Sequence, residues 1–352
     1  MELSNYTKAL LSDIESRIIS EVEEDFTDQW KGFWNEEVND IIFTPKRKII
    51  SKPSAELKNI NINDAVEDLD LMLAMQLEGV SRALGSTDSA LSIRANYGTG
   101  IMTSVFGAEF FLMPYEQNTL PTTIPVGDDK VLEIVSKGIP SIYEGLGQKV
   151  FDFGELCREV FESYPKIKKY VTVYPPDTQG PLDIADLLWG SDIFYALYDD
   201  PDLVHSLMKL VTDTYKVFLD KWFEMYPNRP DINVHWDYFT KGTICLRNDS
   251  AINLSPDQYA EFALPYDKHL LEYYGGGMLH YCGKGDHFVG LITDCDCLYG
   301  VNLSQPHLND MNKVYAETLS KGKKLLDLTP AACKEYENRP DARAGMIFCK
   351  SL

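Results

Sequence analysis

Strand-like and helix-like stretches alternate through most of the chain, and this alternation constrains the fold more than any other feature of the sequence. From residue 90 to residue 349, short apolar runs that predict buried strands are separated by longer stretches with helical periodicity. Parallel strands need such crossover helices, which then cover the sheet. Seven or eight of these units in about 260 residues predict a single (β/α)8 TIM barrel, an α/β fold. The alternative is an open doubly wound sheet, although no G-x-G-x-x-G motif supports a dinucleotide-binding domain.

The first 86 residues precede this alternation and predict a helical layer packed on the barrel. One acidic amphipathic helix is predicted from Tyr6 to about Phe26, and a second from Asn63 to Leu84. Residues 87–352 would form the barrel, so we expect one structural domain overall. Two later helices have clear starts, Asp200-Pro201 and the capping box Ser255-Pro256-Asp257-Gln258.

The charge and the cysteine content of the chain limit the classes of function that we expect. The net charge of −21 argues against nucleic acid and anionic membrane surfaces as partners, because phosphate repels carboxylate. No apolar run approaches the ~18 residues of a membrane span, and the N-terminus has no signal-peptide pattern. The seven scattered cysteines are typical of reduced thiols. We therefore expect a cytoplasmic protein that acts on a small molecule.

The run from Gly275 to Gly283 predicts a buried strand that carries two metal-binding side chains. His280 and Cys282 are two residues apart, so on a strand they point to the same face. Cys349 ends the last predicted strand, and a barrel would bring it to the same rim. Three such ligands leave one tetrahedral position open, which is typical of a catalytic zinc site. The ring nitrogen of His280 that is not on the metal is expected to donate to Asp237 or Asp249.

Other interpretations of these residues remain open. His280 and Cys282 fit a packed core equally well by spacing alone, and Cys349 fits a buried residue near the end of the sequence. The segment Asp294-Cys295-Asp296-Cys297 is a rival metal pair. It lies at the opposite end of the predicted strands, where residues support structure rather than catalysis.

Polar side chains cluster at the predicted carboxyl ends of several strands, where the substrate pocket of a barrel forms. The residues concerned are Arg94, Asn96, Tyr97, Asp177, Gln179, His235, Asp237, Arg247 and Asp249. Any one of them fits a salt bridge or a helix cap, but their convergence predicts a substrate pocket.

Several motifs between Asp177 and Cys349 together resemble the uroporphyrinogen decarboxylase superfamily, which includes cobalamin-dependent methyltransferases that act with zinc. They are, in order, Gln179-Gly180-Pro181-Leu182-Asp183-Ile184-Ala185, Leu188-Trp189-Gly190, Asp199-Asp200-Pro201, Leu254-Ser255-Pro256-Asp257-Gln258-Tyr259, Leu264-Pro265-Tyr266 and His280-Tyr281-Cys282-Gly283. The methyltransferase branch has His-x-Cys followed much later by a cysteine, and these three bind zinc. His280, Cys282 and Cys349 match that pattern.

The resemblance implies methyl transfer between a corrinoid (methylcobalamin), carried by a partner protein, and a thiol or similar acceptor. The decarboxylase branch implies the alternative, decarboxylation of a tetrapyrrole or another polycarboxylate. Arg94 and Arg247 would then hold carboxylates, and Asp177 or Asp249 would stabilise a protonated intermediate. The Met-Arg-Gln-Ala-Gly-Arg segment of true decarboxylases is absent from this sequence. A further alternative is a corrinoid- or tetrapyrrole-binding protein without turnover.

Overall fold

The structure, a computed structural model, describes residues 2–229 and 231–350. Its strands are β1 (Ile42–Phe43), β2 (Ser92–Ile93), β3 (Phe110–Phe111), β4 (Thr122–Thr123), β5 (Thr172–Val173), β6 (Asn233–His235), β7 (Tyr238–Thr240), β8 (Ile244–Arg247), β9 (Gly277–Tyr281), β10 (Leu298–Leu303), β11 (Lys324–Leu328) and β12 (Ile347–Cys349). Six of them form a parallel sheet in the order β1-β12-β11-β10-β9-β8. A separate parallel pair joins β2 to β5, and two antiparallel hairpins join β3 to β4 and β6 to β7.

The helices occupy most of the chain between the strands. They are α1 (Asn5–Arg17), α2 (Ser20–Trp34), α3 (Ile62–Glu67), α4 (Leu69–Ala83), α5 (Ile101–Val105), α6 (Asp128–Lys137), α7 (Gly147–Phe161), α8 (Pro165–Tyr170), α9 (Pro181–Trp189), α10 (Ile193–Asp199), α11 (Pro201–Met225), α12 (Pro256–Phe262), α13 (Leu264–Tyr273), α14 (Val289–Ile292), α15 (Met311–Thr318) and α16 (Pro330–Glu337). Short 3-10 helices cover Tyr115–Gln117, Ser250–Asn253, Pro306–Leu308 and Leu319–Lys321. In the ranges that the structure describes, no helix is both long enough and apolar enough to cross a membrane.

The predicted α/β class with a parallel sheet is confirmed. Strands β8 to β12 pair in chain order, and β12 then pairs with β1. A doubly wound sheet would reverse its strand order at a switch point, and this sheet does not. Within the described residues, however, no ladder joins β1 to β2 or β5 to β8. Closure into a complete (β/α)8 barrel therefore stays a prediction.

The N-terminal region is more finely divided than the sequence pattern predicts. The first predicted helix is two helices, α1 and α2, separated at Ile18 and Ile19. The second breaks at Asp68, whose extended backbone ends α3 while its side chain accepts hydrogen bonds from the first backbone N–H groups of α4. The region also supplies β1 to the main sheet, so it is not confined to an outer layer. The starts predicted at Asp200 and at the Ser255 capping box are confirmed.

A second, aromatic core lies against one face of the main sheet and positions the site. Cys245 of β8 and Met278 of β9 belong to this cluster, together with Trp30 of α2 and Phe348 of β12. Side chains two residues further along a strand face the same way. Arg247 and His280 therefore follow Cys245 and Met278 on that face, toward the carboxyl ends of the strands. The aromatic cluster therefore packs beneath Arg247 and His280 on the same face of the sheet.

Candidate metal centre and active-site cavity

A cavity of about 380 Å³ opens at the carboxyl ends of β8, β9 and β10. It contains five of the residues predicted from the sequence, namely Asp177, Gln179, Arg247, Asp249 and His280. Six further residues line it that the sequence pattern did not predict, namely Thr99, Trp236, Tyr238, Asn302, Ser304 and Asp327. Asn302 and Ser304 sit at the end of β10, as Asp249 and Cys282 do for β8 and β9, so strand-end position is a signal that could have found them.

Asp249, His280 and Cys282 bring an oxygen, a nitrogen and a sulfur together, all within 4.8 Å of one another. The Nε2 atom of His280 lies 3.4 Å from the Cys282 sulfur and 3.6 Å from Oδ1 of Asp249. Tetrahedral bonds of about 2.0–2.3 Å separate neighbouring ligand atoms by roughly 3.3–3.6 Å. The two distances from Nε2 of His280 therefore match a tetrahedral zinc site, and the three donors are of the kinds that zinc takes, with one position left for substrate.

The backbone around Asp249 fixes the position of its carboxylate. Asp183 of α9 accepts hydrogen bonds from the backbone N–H groups of Asp249 (2.9 Å) and Ser250 (2.8 Å). The backbone N–H of Cys282 donates to Oδ1 of Asp249 at 2.6 Å. The end of β8 is thus tied both to α9 and to the end of β9, which are distant in sequence.

Asn302 sets the tautomer of His280. Its amide nitrogen donates to the carbonyl of Leu326 at 2.8 Å, so its oxygen must face His280, where Nδ1 lies 2.5 Å away. Nδ1 therefore carries the proton, and the lone pair of Nε2 points toward Cys282 and Asp249. The prediction that Asp237 or Asp249 would orient this ring is wrong, because Asp237 forms an ion pair with Lys350 and Asp249 belongs to the donor cluster.

Burial controls the protonation of the cluster. It lowers the pKa of His280, more strongly than the nearby Asp249 carboxylate raises it, so the imidazole is neutral and able to bind a metal. Burial also raises the pKa of the Cys282 thiol. At neutral pH this thiol keeps its proton unless a cation is bound beside it.

The structure does not bring the predicted third ligand, Cys349, to the other two. Its thiol lies beside that of Cys333 on α16, and the hydrogen bond from Cys333 lowers the pKa of Cys349. The reason is the alternation of side chains along β12. Phe348 points into the aromatic core against the sheet, so Cys349 points to the opposite face, where it packs in the main core with the helices. The donor set found in the structure therefore differs from the predicted one in its third member.

Among the residues that the structure describes, no third ligand joins the rival pair Cys295 and Cys297. Lys321 pairs with Asp294 at 2.7 Å, and the buried Lys323 donates to the carbonyl of Cys295 at 2.8 Å. Over residues 2–229 and 231–350, Asp249, His280 and Cys282 are the only set of three potential ligands close enough to share an ion. The contacts that hold the segment around Cys295 therefore come from lysine side chains.

Asp177 holds two arginines at the side of the cavity. Its carboxylate lies 3.2 Å from Nη1 of Arg94 and 3.0 Å from Nε of Arg247, and Gln179 donates to it at 2.6 Å. Burial works to raise the pKa of Asp177, but the two guanidinium groups outweigh it and hold that pKa below its ordinary value. Two arginines on one carboxylate leave a net positive charge. Arg247 also lies 5.1 Å from the ring of Trp236, which contacts His280 edge-on.

The other predicted pocket residues occupy different places. Asn96 accepts from Arg94 at 3.1 Å and, with Asp237, lines a neighbouring cavity of about 440 Å³. His235 is buried, and this burial, with a smaller effect of the Arg247 charge, lowers its pKa to about 3, so its ring is neutral. Tyr97 does not line the cavity. It lies in the main core, because it alternates with Arg94 and Asn96 and points away from them.

Three residues that line the cavity have left-handed backbone conformations without being glycine. They are Gln179 (φ 64°), Trp236 (φ 52°) and Asp327 (φ 57°). Such conformations cost free energy in side chains other than glycine and cluster at functional sites. Burial also raises the pKa of Asp327 to about 6. The backbone strain thus marks the same cavity as the donor cluster.

Comparison with known proteins identifies the fold but no family. No protein-family model matches the chain, and no curated protein matches it in sequence. Among solved structures it is similar to a methyltransferase from Methanosarcina mazei, with a TM-score of 0.64 and 13% sequence identity over 92% of each chain. At this identity the likeness establishes a common fold. Membership of the uroporphyrinogen decarboxylase superfamily stays a prediction.

Proposed function

We propose that the protein is a zinc-dependent methyltransferase that moves a methyl group between a corrinoid carrier on a partner protein and a thiol acceptor. The observation that carries the proposal is the cluster of Asp249, His280 and Cys282, two of which, Asp249 and His280, line the cavity at the carboxyl ends of the strands. The fold likeness to a methyltransferase supports the same reaction class. Neither observation identifies the methyl donor or the acceptor.

Each group in the cavity has a role in this proposal. Asp249, His280 and Cys282 would hold the zinc, which when bound favours the thiolate form of an acceptor thiol. Asn302 keeps the lone pair of His280 directed at the cluster. The positive pair Arg94 and Arg247, held by Asp177, would orient the acceptor, and Trp236 would close the side of the cavity. The corrinoid carrier would approach from the open end of the cavity.

Metal content tests the donor set directly. We expect about one zinc per chain in wild-type protein purified without chelator, and a large loss of zinc in His280→Ala and Cys282→Ser. Cys349→Ser is the matched control, because it removes a thiol that faces the other side of the sheet. If Cys349→Ser loses the metal while Asp249→Asn keeps it, the ligand set predicted from the sequence is right and the one proposed from the structure is wrong.

Activity is tested with free methylcobalamin and a panel of thiols, following demethylation by absorbance. We expect thiol-dependent demethylation by the wild type and a loss of at least 100-fold in Cys282→Ser, since ligand loss removes the activated thiolate. Demethylation without zinc dependence would contradict the role given to the cluster.

The two guanidinium groups favour one alternative, decarboxylation of a polycarboxylate. Arg94 and Arg247 lie on the same carboxylate beside the cavity, as carboxylate recognition would require. Loss of carboxyl groups from uroporphyrinogen, unchanged in Cys282→Ser, would favour this alternative. Tight corrinoid binding without turnover would instead favour a binding protein.

A further inference from the structure

A third cavity, of about 280 Å³, lies between β5 and the helices α7, α8 and α11. It shares no residue with the cavity around His280. Its strand residues come from β5, from the start of β6 and from Thr243 just before β8. It therefore lies between β5 and β8, which no ladder joins within the described residues.

The walls of this cavity are apolar and aromatic on the helix side. Phe161 of α7 and Phe223 of α11 face Val173 of β5, and Met225 and Tyr226 at the end of α11 complete this side. Binding sites for small organic molecules are concave, mostly apolar and have a few well-placed polar groups. The volume is slightly below the ~300–1,000 Å³ of sites for drug-sized ligands, which indicates a small ligand.

Among the described residues, one cation at the edge of this apolar space forms no ion pair. Arg229 is partly buried, and burial lowers its pKa more than the charge of Asp231 raises it. The other two cations of the lining are already paired, Arg158 with Glu155 and Lys168 with Glu162. The nearest acid in sequence, Asp231, is held by Lys31 at 3.1 Å. In residues 2–229 and 231–350, no carboxylate forms an ion pair with Arg229.

The charge in this lining determines which ligands the space is able to accept. A desolvated cation costs free energy when no anion compensates it. An apolar space with one cation that forms no ion pair is therefore complementary to a molecule with an apolar body and an anionic end.

We propose that this third cavity binds a small organic monoanion, an aryl or medium-chain alkyl carboxylate. The carboxylate pairs with Arg229, and the body lies between Phe161, Val173 and Phe223. This site is separate from the proposed methyl-transfer site, and the proposal for it does not depend on that function.

The test uses 4-phenylbutyrate as the probe and isothermal titration calorimetry of the full-length protein. We expect saturable binding at one molecule per chain. The uncharged 4-phenylbutyramide should bind at least ten times more weakly to the wild type, a comparison that needs no variant. Arg229→Gln should weaken phenylbutyrate binding by at least ten-fold, and Val173→Phe, which adds a larger side chain on the helix-facing side of β5, should abolish it.

Two control variants locate the probe. Arg339→Gln removes a half-buried guanidinium that follows α16, far from this lining, and should bind phenylbutyrate as the wild type does. Arg94→Gln removes a guanidinium that is paired with Asp177 beside the His280 cavity and should also leave binding unchanged. The proposal is overturned if the wild type shows no saturable binding, if the amide binds as tightly as the acid, or if Arg94→Gln abolishes binding while Arg229→Gln retains it.

Discussion

Single residues decide whether the cluster in the cavity is able to bind a metal. His280 lies on β9, but its tautomer depends on Asn302 of β10, which in turn is fixed by a carbonyl of β11. Three neighbouring strands thus determine the direction of one lone pair. Trp236 contributes from another direction, since its ring contacts both His280 and Arg247.

Replacing Asn302 with leucine should weaken zinc binding by about 10–100-fold, because hydrogen bonds that orient a ligating histidine have effects of this size. Leucine has a similar shape but accepts no hydrogen bond, so the other tautomer of His280 becomes accessible. Competition with a chromogenic chelator measures the affinity. Asn312→Leu, at an exposed position of α15, is the control and should bind zinc like the wild type. Equal affinities in the two variants would remove Asn302 from the site.

Among the secondary-structure elements, the ends of helices and strands are the positions that the sequence predicts best. Asp200, Ser255 and the strand around His280 are where the pattern predicts them, because capping and alternation act over a few residues. Cys349 shows what local patterns miss. Whether it faces the cavity depends on the register of β12, which shifts against β11 between Leu325 and Leu328. Asp327 was missed because nothing in its own neighbourhood distinguishes it from an ordinary strand residue, whereas Asn302 lies at a strand end, a position that could have identified it.

The cap at Asp68 provides a test at this scale. Its side chain accepts from the backbone N–H groups of Asp70 (2.8 Å) and Leu71 (3.1 Å) and so starts α4. Asp68→Ala should lower the free energy of unfolding by about 0.5–2 kcal/mol, measured by urea denaturation. Glu335→Ala, an exposed substitution on α16, should change it by less than about 0.5 kcal/mol. If the two variants are equally stable, α3 and α4 are one continuous helix, as the sequence pattern predicted.

For the whole molecule, one buried acid links stability to pH. Asp267 of α13 is fully buried and accepts hydrogen bonds from Asn248 (2.5 Å) and Tyr259 (3.0 Å). Burial raises its pKa to about 7. The folded state therefore keeps a proton that the unfolded chain, with a carboxyl pKa of about 3.9, has already lost. Between these two pH values stability must fall as pH rises, by up to about 1.4 kcal/mol per pH unit, and it levels off above pH 7.

Asp267→Asn should remove this contribution to the pH dependence. The amide does not titrate, and it is able to accept from Tyr259 while its NH2 group occupies the place of the unpaired Oδ1. Urea denaturation at pH 5 and pH 8 should show the wild type losing more stability than the variant. Asp257→Asn, on the exposed start of α12, should keep the slope of the wild type. Parallel slopes in the wild type and Asp267→Asn would show that Asp267 is ionised throughout.

The strained backbone of the cavity has a consequence for selection. Gln179, Trp236 and Asp327 hold left-handed conformations that glycine would adopt at lower cost. A population of variants selected for thermal stability alone would therefore accumulate glycine and asparagine at these three positions. One selected for turnover would retain the original residues. Sequencing both populations would identify the residues that the cavity needs for activity before any substrate is known.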